Sequence, residues 1–226
     1  QRRGTVSGAV GAEDATAVRY EYLTDGAEIY RRSFATIRAE ADLSGLPEDV
    51  ARVAVRMIHA AGQTDLPTGI DHSAGVVRAC REALRAGAPI LCDAQMVASG
   101  IIRSRLPADN PIVCHLGEPQ LAPLAAELGT TKTAAAVELW RPVLQGAVVA
   151  IGNAPTALFH LLEVVRDTGL RPAGVLGLPV GFVGAAESKR ALADNPFGLE
   201  YLVLHGRRGG SAITVAAINA IASTAE

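Results

Sequence analysis

"GAVVAIGNAPTALFHLLEVVRDTG", residues 146–169, passes from a short apolar run into a helical pattern. The run, 146–153, does not alternate apolar with polar residues; it is hydrophobic almost throughout, as in a strand covered on both faces. The same succession recurs along the chain. "APILCD" (88–93) leads into "AQMVASGI", "NPIVCHL" (110–116) precedes "EPQLAPLAAELG", "AGVLGLPVG" (173–181) precedes "FVGAAESKRALADN", and "EYLVLHG" (200–206) precedes "GGSAITVAAINAIAS". Further helices are expected over 26–42, 47–61, 72–86 and 132–144. Five short strands alternating with helices imply parallel pairing through crossover helices. The expected fold is therefore α/β, a three-layer α/β/α sandwich with an open, mostly parallel sheet.

The composition fits that fold. The chain has 226 residues, 49% of them hydrophobic and only 19% charged, and its mean hydropathy is +0.24. One large domain over 20–226 is expected, preceded by a small, polar, flexible tail over 1–19. The tail has no continuous apolar segment, so it does not read as a signal peptide, and no 18-residue apolar run predicts a membrane span. A net charge of −2 gathers neither nucleic acid nor an acidic membrane, so an anionic ligand must be held by a local cluster. Cys80, Cys92 and Cys114 form no CxxC pair and are expected as buried, reduced thiols of a cytoplasmic protein.

In an open parallel sheet, ligands bind beyond the carboxyl ends of the strands. Three of the turns there are unusual: "IGNAPTA" (151–157), "GLPVGFVGAAESK" (177–189) and "HGRRGGSA" (205–212). Glycine admits a close backbone approach, and helix N-termini present N–H groups to anions. With Arg207 and Arg208 in the third, these turns make a cradle for a polyanion, although any one of them also reads as tight packing alone. No GxGxxG, GxxxxGK[ST] or GxSxG occurs, and His59, His72, His115, His160 and His205 form no i,i+4 metal pair. The common nucleotide, dinucleotide and metal sites are thereby disfavoured.

One histidine stands out. In the helix 47–61, Val50, Val53, Ala54, Met57, Ile58 and Ala61 form one stripe at helical spacing. His59 falls on the other side, beside Arg52, Val55 and Arg56, just before Gly62. It reads either as a plain surface histidine or as a proton donor in the last helical turn, where the dipole favours an imidazolium. Arg52 and Arg56 oppose that charge unless an anionic substrate screens them.

The blocks "YEYLTDGAEIYRRSFATIRAEADL" (20–43), "RMIHAAGQ" (56–63), "AGAPILCDAQMVASGI" (86–101), "AIGNAPTALFHLLE" (150–163), "GLPVGFVGAAESK" (177–189) and "GRRGGSAIT" (206–214) resemble the precorrin-8X methylmutase family of cobalamin biosynthesis. The resemblance implies a flavodoxin-like fold, a homodimer and a tetrapyrrole substrate. It implies isomerisation of precorrin-8X to hydrogenobyrinic acid by migration of a methyl group from C-11 to C-12, without organic cofactor or metal. His59 matches the family's catalytic histidine. Ser33 matches a pocket position that hydrogen-bonds a substrate carboxylate, or is a helix-surface serine. Lys132 matches a position where relatives carry Arg, and lysine lacks the bidentate fork. Gly210 and Ser211 open the last helix toward an anion, though capping alone explains Ser211 as well. Asn153 contacts ligand or fixes its turn, and Arg207 and Arg208 pair with carboxylates or stay solvated. The other readings are a cobalt-precorrin-8 methylmutase, a flavin or nicotinamide oxidoreductase, and a non-catalytic tetrapyrrole carrier.

Overall fold

The computed structural model describes residues 19–224, so the tail read over 1–19 lies, apart from Arg19, outside the described residues. In chain order the elements are α1 (Gly26–Glu40), α2 (Glu48–Ala61), β1 (Ile70–His72), α3 (Val76–Arg85), β2 (Ile90–Cys92), α4 (Gln95–Gly100), β3 (Ile112–Val113), α5 (Leu121–Glu127), α6 (Lys132–Glu138), β4 (Val148–Ile151), α7 (Pro155–Thr168), β5 (Gly174–Gly177), α8 (Ala185–Ala193), β6 (Tyr201–Leu204) and α9 (Ser211–Ala222). They build one open sheet of six strands in the order β1-β6-β5-β4-β2-β3. Every pairing is parallel except β1 with β6, which sets Ile70 opposite Leu204 and His72 opposite Leu202.

Strand periodicity explains why helices cover both faces. Ile90, Cys92, Val148, Ala150, Leu176, Leu202 and Leu204 point into one core, shared with Val53 and Met57 of α2, Cys80 of α3, Val97 of α4 and Ile218 of α9. Leu91, Val149, Ile151, Val175 and Val203 point into the other, shared with Leu158 and Leu161 of α7 and Leu192 of α8. The α/β architecture with an open, mostly parallel sheet is as expected. Helix α1 stands outside this frame. It packs on α2 and buries only Phe34 and Ile37.

Three expectations need correction. The helix expected over 72–86 begins at Val76, and the residues before it form β1, a sixth strand that the apolar runs did not reveal. As an edge strand it carries polar side chains, and its Asp71 accepts from Tyr201 Oη (3.2 Å) and pairs with His205 Nε2 (3.0 Å). The helix expected over 132–144 stops at Glu138, with a 3-10 turn over Arg141–Val143, because Pro142 has no N–H to donate and its ring obstructs an α-helical continuation. Finally, Val55 is buried although it lies off the main stripe of α2, because α1 covers that side.

The carboxyl edge of the sheet is fastened by one side chain. Asp93, directly after β2, is buried and accepts from the backbone N–H groups of Gly152 (2.9 Å), Asn153 (2.8 Å) and Ala154 (2.7 Å). These bonds shape the β4–α7 turn. They also occupy the amides that the glycine-rich reading had offered to a ligand there. Burial raises the proton affinity of Asp93, and the three N–H bonds pull it back. Replacing it with alanine strands three amides, each at about 1–3 kcal/mol. Asp93→Ala is therefore expected to lose at least about 3 kcal/mol in urea unfolding; a loss under about 1 kcal/mol contradicts this anchoring.

Candidate active site

Helix α2 ends in a left-handed glycine, Gly62 (φ 66°), whose N–H returns to the Ile58 carbonyl. His59 lies in that last turn, exposed and off the buried stripe. Its surroundings come from α1. Ser33 Oγ lies 2.8 Å from His59 Nδ1. The Tyr30 ring stacks at 5.5 Å between centroids and the Phe34 ring lies at 5.1 Å. Phe34 in turn carries the Arg56 guanidinium 4.7 Å above its ring. The imidazole is thus held between two aromatic rings and a hydroxyl, with Nδ1 engaged. A hollow of about 260 Å³ opens beside it, lined by Ser33, Thr36, Ile37, Ile58, His59, Gly62 and Thr64.

A second hollow of about 240 Å³ is lined in part by Gln63, the residue between Gly62 and Thr64 of the first. Its walls include Gln63, Val180, Phe182, Arg207, Arg208 and Gly209. Arg208 donates to Asp65 Oδ2 at 2.9 Å, which ties the β6–α9 turn to the segment after α2. Arg207 stands 5.2 Å over the ring of Phe182, which is 85% exposed beside Val183 at 88%. Two guanidinium groups therefore border an apolar, solvent-facing shelf.

The shelf rests on two interlocked turns. Gly181 N–H donates to Arg207 O (3.1 Å) and Gly210 N–H to Leu178 O (2.8 Å). At Gly209 a Cβ would strike the Leu178 and Pro179 carbonyls, so only glycine allows this approach. Beneath them Lys189 of α8 is fully buried and donates from Nζ to Arg208 O at 2.6 Å. Burial lowers the proton affinity of its ammonium from the ordinary 10.5 to about 8.

Of the residues expected at the site, Ser33 and His59 are in contact, and Arg207, Arg208 and Gly210 share one turn. Ser211 is the first residue of α9, but the Gly210 N–H is already taken by Leu178. Asn153 is exposed, its N–H held by Asp93. It reaches this edge through Gly152, where a Cβ would come within 3.1 Å of Ser211 Cα. Lys132 is exposed at the start of α6, between Thr131 and Thr133, whose hydroxyls meet that of Thr156 at the start of α7 at 2.8 and 3.2 Å. Cys80, Cys92 and Cys114 are free thiols, Cys80 and Cys92 buried and Cys114 half-buried. Burial raises all three, Cys80 to about 12, so none is a ready nucleophile.

The precorrin-8X methylmutase family model matches residues 28–224. The chain belongs to this family. A precorrin-8X methylmutase from Sinorhizobium sp is 57% identical over 203 residues, covering 90% of this chain and 97% of that protein. One from Pseudomonas aeruginosa is 55% identical over 206 residues, covering 91% and 99%. The crystal structure of the precorrin-8X methylmutase from Thermus thermophilus superposes with a TM-score of 0.79 at 40% identity, over 87% of this chain and 95% of that one.

For a precorrin-8X methylmutase, two features of this edge were not found from the sequence. Lys189 reads there as one more polar residue of α8, and only its burial marks it. Arg105 and Arg38 lie close enough to Arg56 that, after burial, their charges lower its proton affinity, so arginines from three separate elements neighbour one another. The doubled arginine of "RSR" (103–105) was the one available signal.

The Lys189 ammonium has a measurable signature. In the unfolded chain the amine keeps its proton to about 10.5, whereas in the fold it releases it near 8. Between those values the unfolded state binds more protons, so rising pH favours the fold. The melting temperature of the wild type, measured against Lys189→Met, is expected to rise from pH 8 to pH 10. A flat or falling difference contradicts a buried ammonium at this position.

Proposed function

We propose that this chain isomerises precorrin-8X to hydrogenobyrinic acid, moving a methyl group from C-11 to C-12 of the macrocycle with His59 as proton donor. The observation that carries the reading is the pair of hollows lined by successive residues of the Gly62–Thr64 segment, one bordered by His59 and the other by two guanidinium groups. An apolar macrocycle with a rim of carboxylates needs both surfaces. Its flat faces suit Phe182, Val180 and Tyr30, and its carboxylates suit Arg207 and Arg208. The names of the 57% and 55% identical relatives support the metal-free substrate over its cobalt counterpart.

The Ser33–His59 contact gives the acid a defined geometry. In the imidazolium, Nδ1–H donates to Ser33 Oγ, and the Ser33 O–H is then free to donate to a substrate carboxylate. Nε2–H is left to face the macrocycle. Proton transfer from Nε2 to the conjugated ring makes it electron-poor, and the methyl group migrates with its bonding pair to the neighbouring carbon. The proton gained by the ring is lost as the new conjugated system settles, so the formula is unchanged. Ser33 thereby serves both as support for the imidazole and as the carboxylate contact expected of it.

A flavodoxin-like form of the fold is supported by strand order. Counted from β2, the parallel strands β3-β2-β4-β5-β6 run 2-1-3-4-5, with β1 added at the edge. A homodimer is supported by the outer face of α1, where Ala27, Tyr30, Arg31, Phe34, Ala35 and Arg38 line a solvent-facing groove of about 620 Å³. A cytoplasmic location is supported by the free thiols; among the described residues no helix is long and apolar enough to cross a membrane.

The test is conversion of precorrin-8X by the purified protein, followed by absorbance and mass. A spectral change at constant mass is expected. Loss of two hydrogens would indicate an oxidoreductase, and binding without change a carrier. His59→Ala is expected to retain product binding and lose about 10²–10⁴-fold in kcat, and Ser33→Ala to lose about 10-fold. Near-normal turnover in His59→Ala removes the imidazole from the mechanism.

A further inference from the structure

We infer that Lys189 is a positioning residue of the tetrapyrrole site, its buried ammonium holding the Arg208 carbonyl so that the 207–210 turn presents both guanidinium groups to the substrate's carboxylates. The inference rests on the functional reading above and assigns the site a cation that does not touch substrate.

A lysine is rarely buried without a carboxylate. Lys189 is 0% exposed, and among the described residues no acidic side chain pairs with it. Desolvation alone accounts for its lowered proton affinity. An apolar residue of the same length would fill this position at lower electrostatic cost, so stability does not explain the choice of lysine. Its hydrogen bond does. Nζ donates at 2.6 Å to the carbonyl between Arg208 and Gly209. The neighbouring carbonyl, of Arg207, accepts from Gly181 N–H, and Gly210 N–H reaches Leu178 O. Three bonds, two from the β5–α8 side to 207–208 and one returning from Gly210, thus fix a segment of four residues. Of these three only the bond from Lys189 comes from a side chain and carries charge, while the Arg208–Asp65 ion pair (2.9 Å) and the bond from Thr214 Oγ1 to Gly210 O (2.9 Å) restrain the same segment from other sides.

The Lys189 bond adds to these restraints where the backbone is intrinsically least constrained. Gly206 (φ 80°), Gly209 (φ 158°) and Gly210 (φ 120°) all occupy backbone regions open chiefly to glycine, and such a stretch has much entropy to lose on ordering. If the turn must be ordered when substrate binds, the cost appears as weaker binding. If Lys189 orders it beforehand, the arginines meet the carboxylates without that cost. The effect belongs to binding rather than to proton transfer, because His59 is held separately by α1.

The inference is tested by steady-state kinetics with precorrin-8X in a double-mutant cycle of Lys189→Met with Arg207→Ala/Arg208→Ala. Wild-type turnover comes first, since its absence would refute the functional reading and not this one. Given turnover, Lys189→Met is expected to raise KM about tenfold or more while kcat stays within about threefold. In the background lacking both arginines the same substitution is expected to change KM less than about twofold, because the lysine then has no guanidinium to position. A purely structural lysine would give equal effects in both backgrounds, and that result overturns the proposal. So does an unchanged KM, or a loss confined to kcat. Circular dichroism and melting temperature establish that each variant is folded. Should Lys189→Met not fold, Lys189→Gln is carried through the same cycle, and failure of both to fold assigns the lysine to the core and ends the proposal.

Discussion

The side chains of β4 leave the strand no contact with water: Val148 and Ala150 enter one helical layer, Val149 and Ile151 the other, and all four are fully buried. The same two-sided burial holds for β2, β5 and most of β6. A sheet sealed in this way cannot offer a polar group from either face without stranding it. Chemistry is therefore displaced to element ends and to the one helix outside the sandwich. His59 sits at the end of α2, the two arginines in the turn after β6, and Ser33 on α1. Even the polar groups at the strand ends are largely committed, as the three amides on Asp93 show.

The basic groups of the edge are graded by depth. Arg207 stands exposed over Phe182, Arg208 is partly covered and tied to Asp65, and Lys189 is buried under both. A chain with net charge −2 assembles this from local placement alone. Exposed guanidinium groups attract carboxylates but are screened by salt, whereas a buried ammonium acts on the backbone that carries them. Recognition of a substrate with many carboxylates spreads the work over several modest contacts, consistent with shallow hollows rather than one deep charged pit.

The layers and the parallel strands were legible because burial on both faces writes itself as apolar runs. Four of the five expected strands bordered turns that matter here, and α2 ended at Gly62 as its sequence implied. What escaped reading has a common physical cause. β1 carries Asp71 and His72 because it is an edge strand, so no apolar run announced it. Val55 is buried only because α1 folds across α2, and periodicity within one helix cannot report a second helix. Lys189 and Arg105 gain their meaning from neighbours distant in sequence. His59 was visible as an anomaly on its helix, but its contact with Ser33 spans 26 residues and required the packing of α1.

In the proposed reaction the exposed His59 works beside Arg56, which stands on the same side of α2. The arrangement becomes effective only with the macrocycle in place. The ring would cover Nε2 and exclude water, while its carboxylates offset the arginines gathered around the site. The hydroxyl of Ser33 links the two effects, because the same oxygen that receives Nδ1–H carries the proton offered to a carboxylate. Substrate charge would thereby offset the neighbouring cations at the moment the proton is required. On this proposal the site is completed by the molecule it acts on, the substrate's carboxylates taking the place of an acidic partner from the protein.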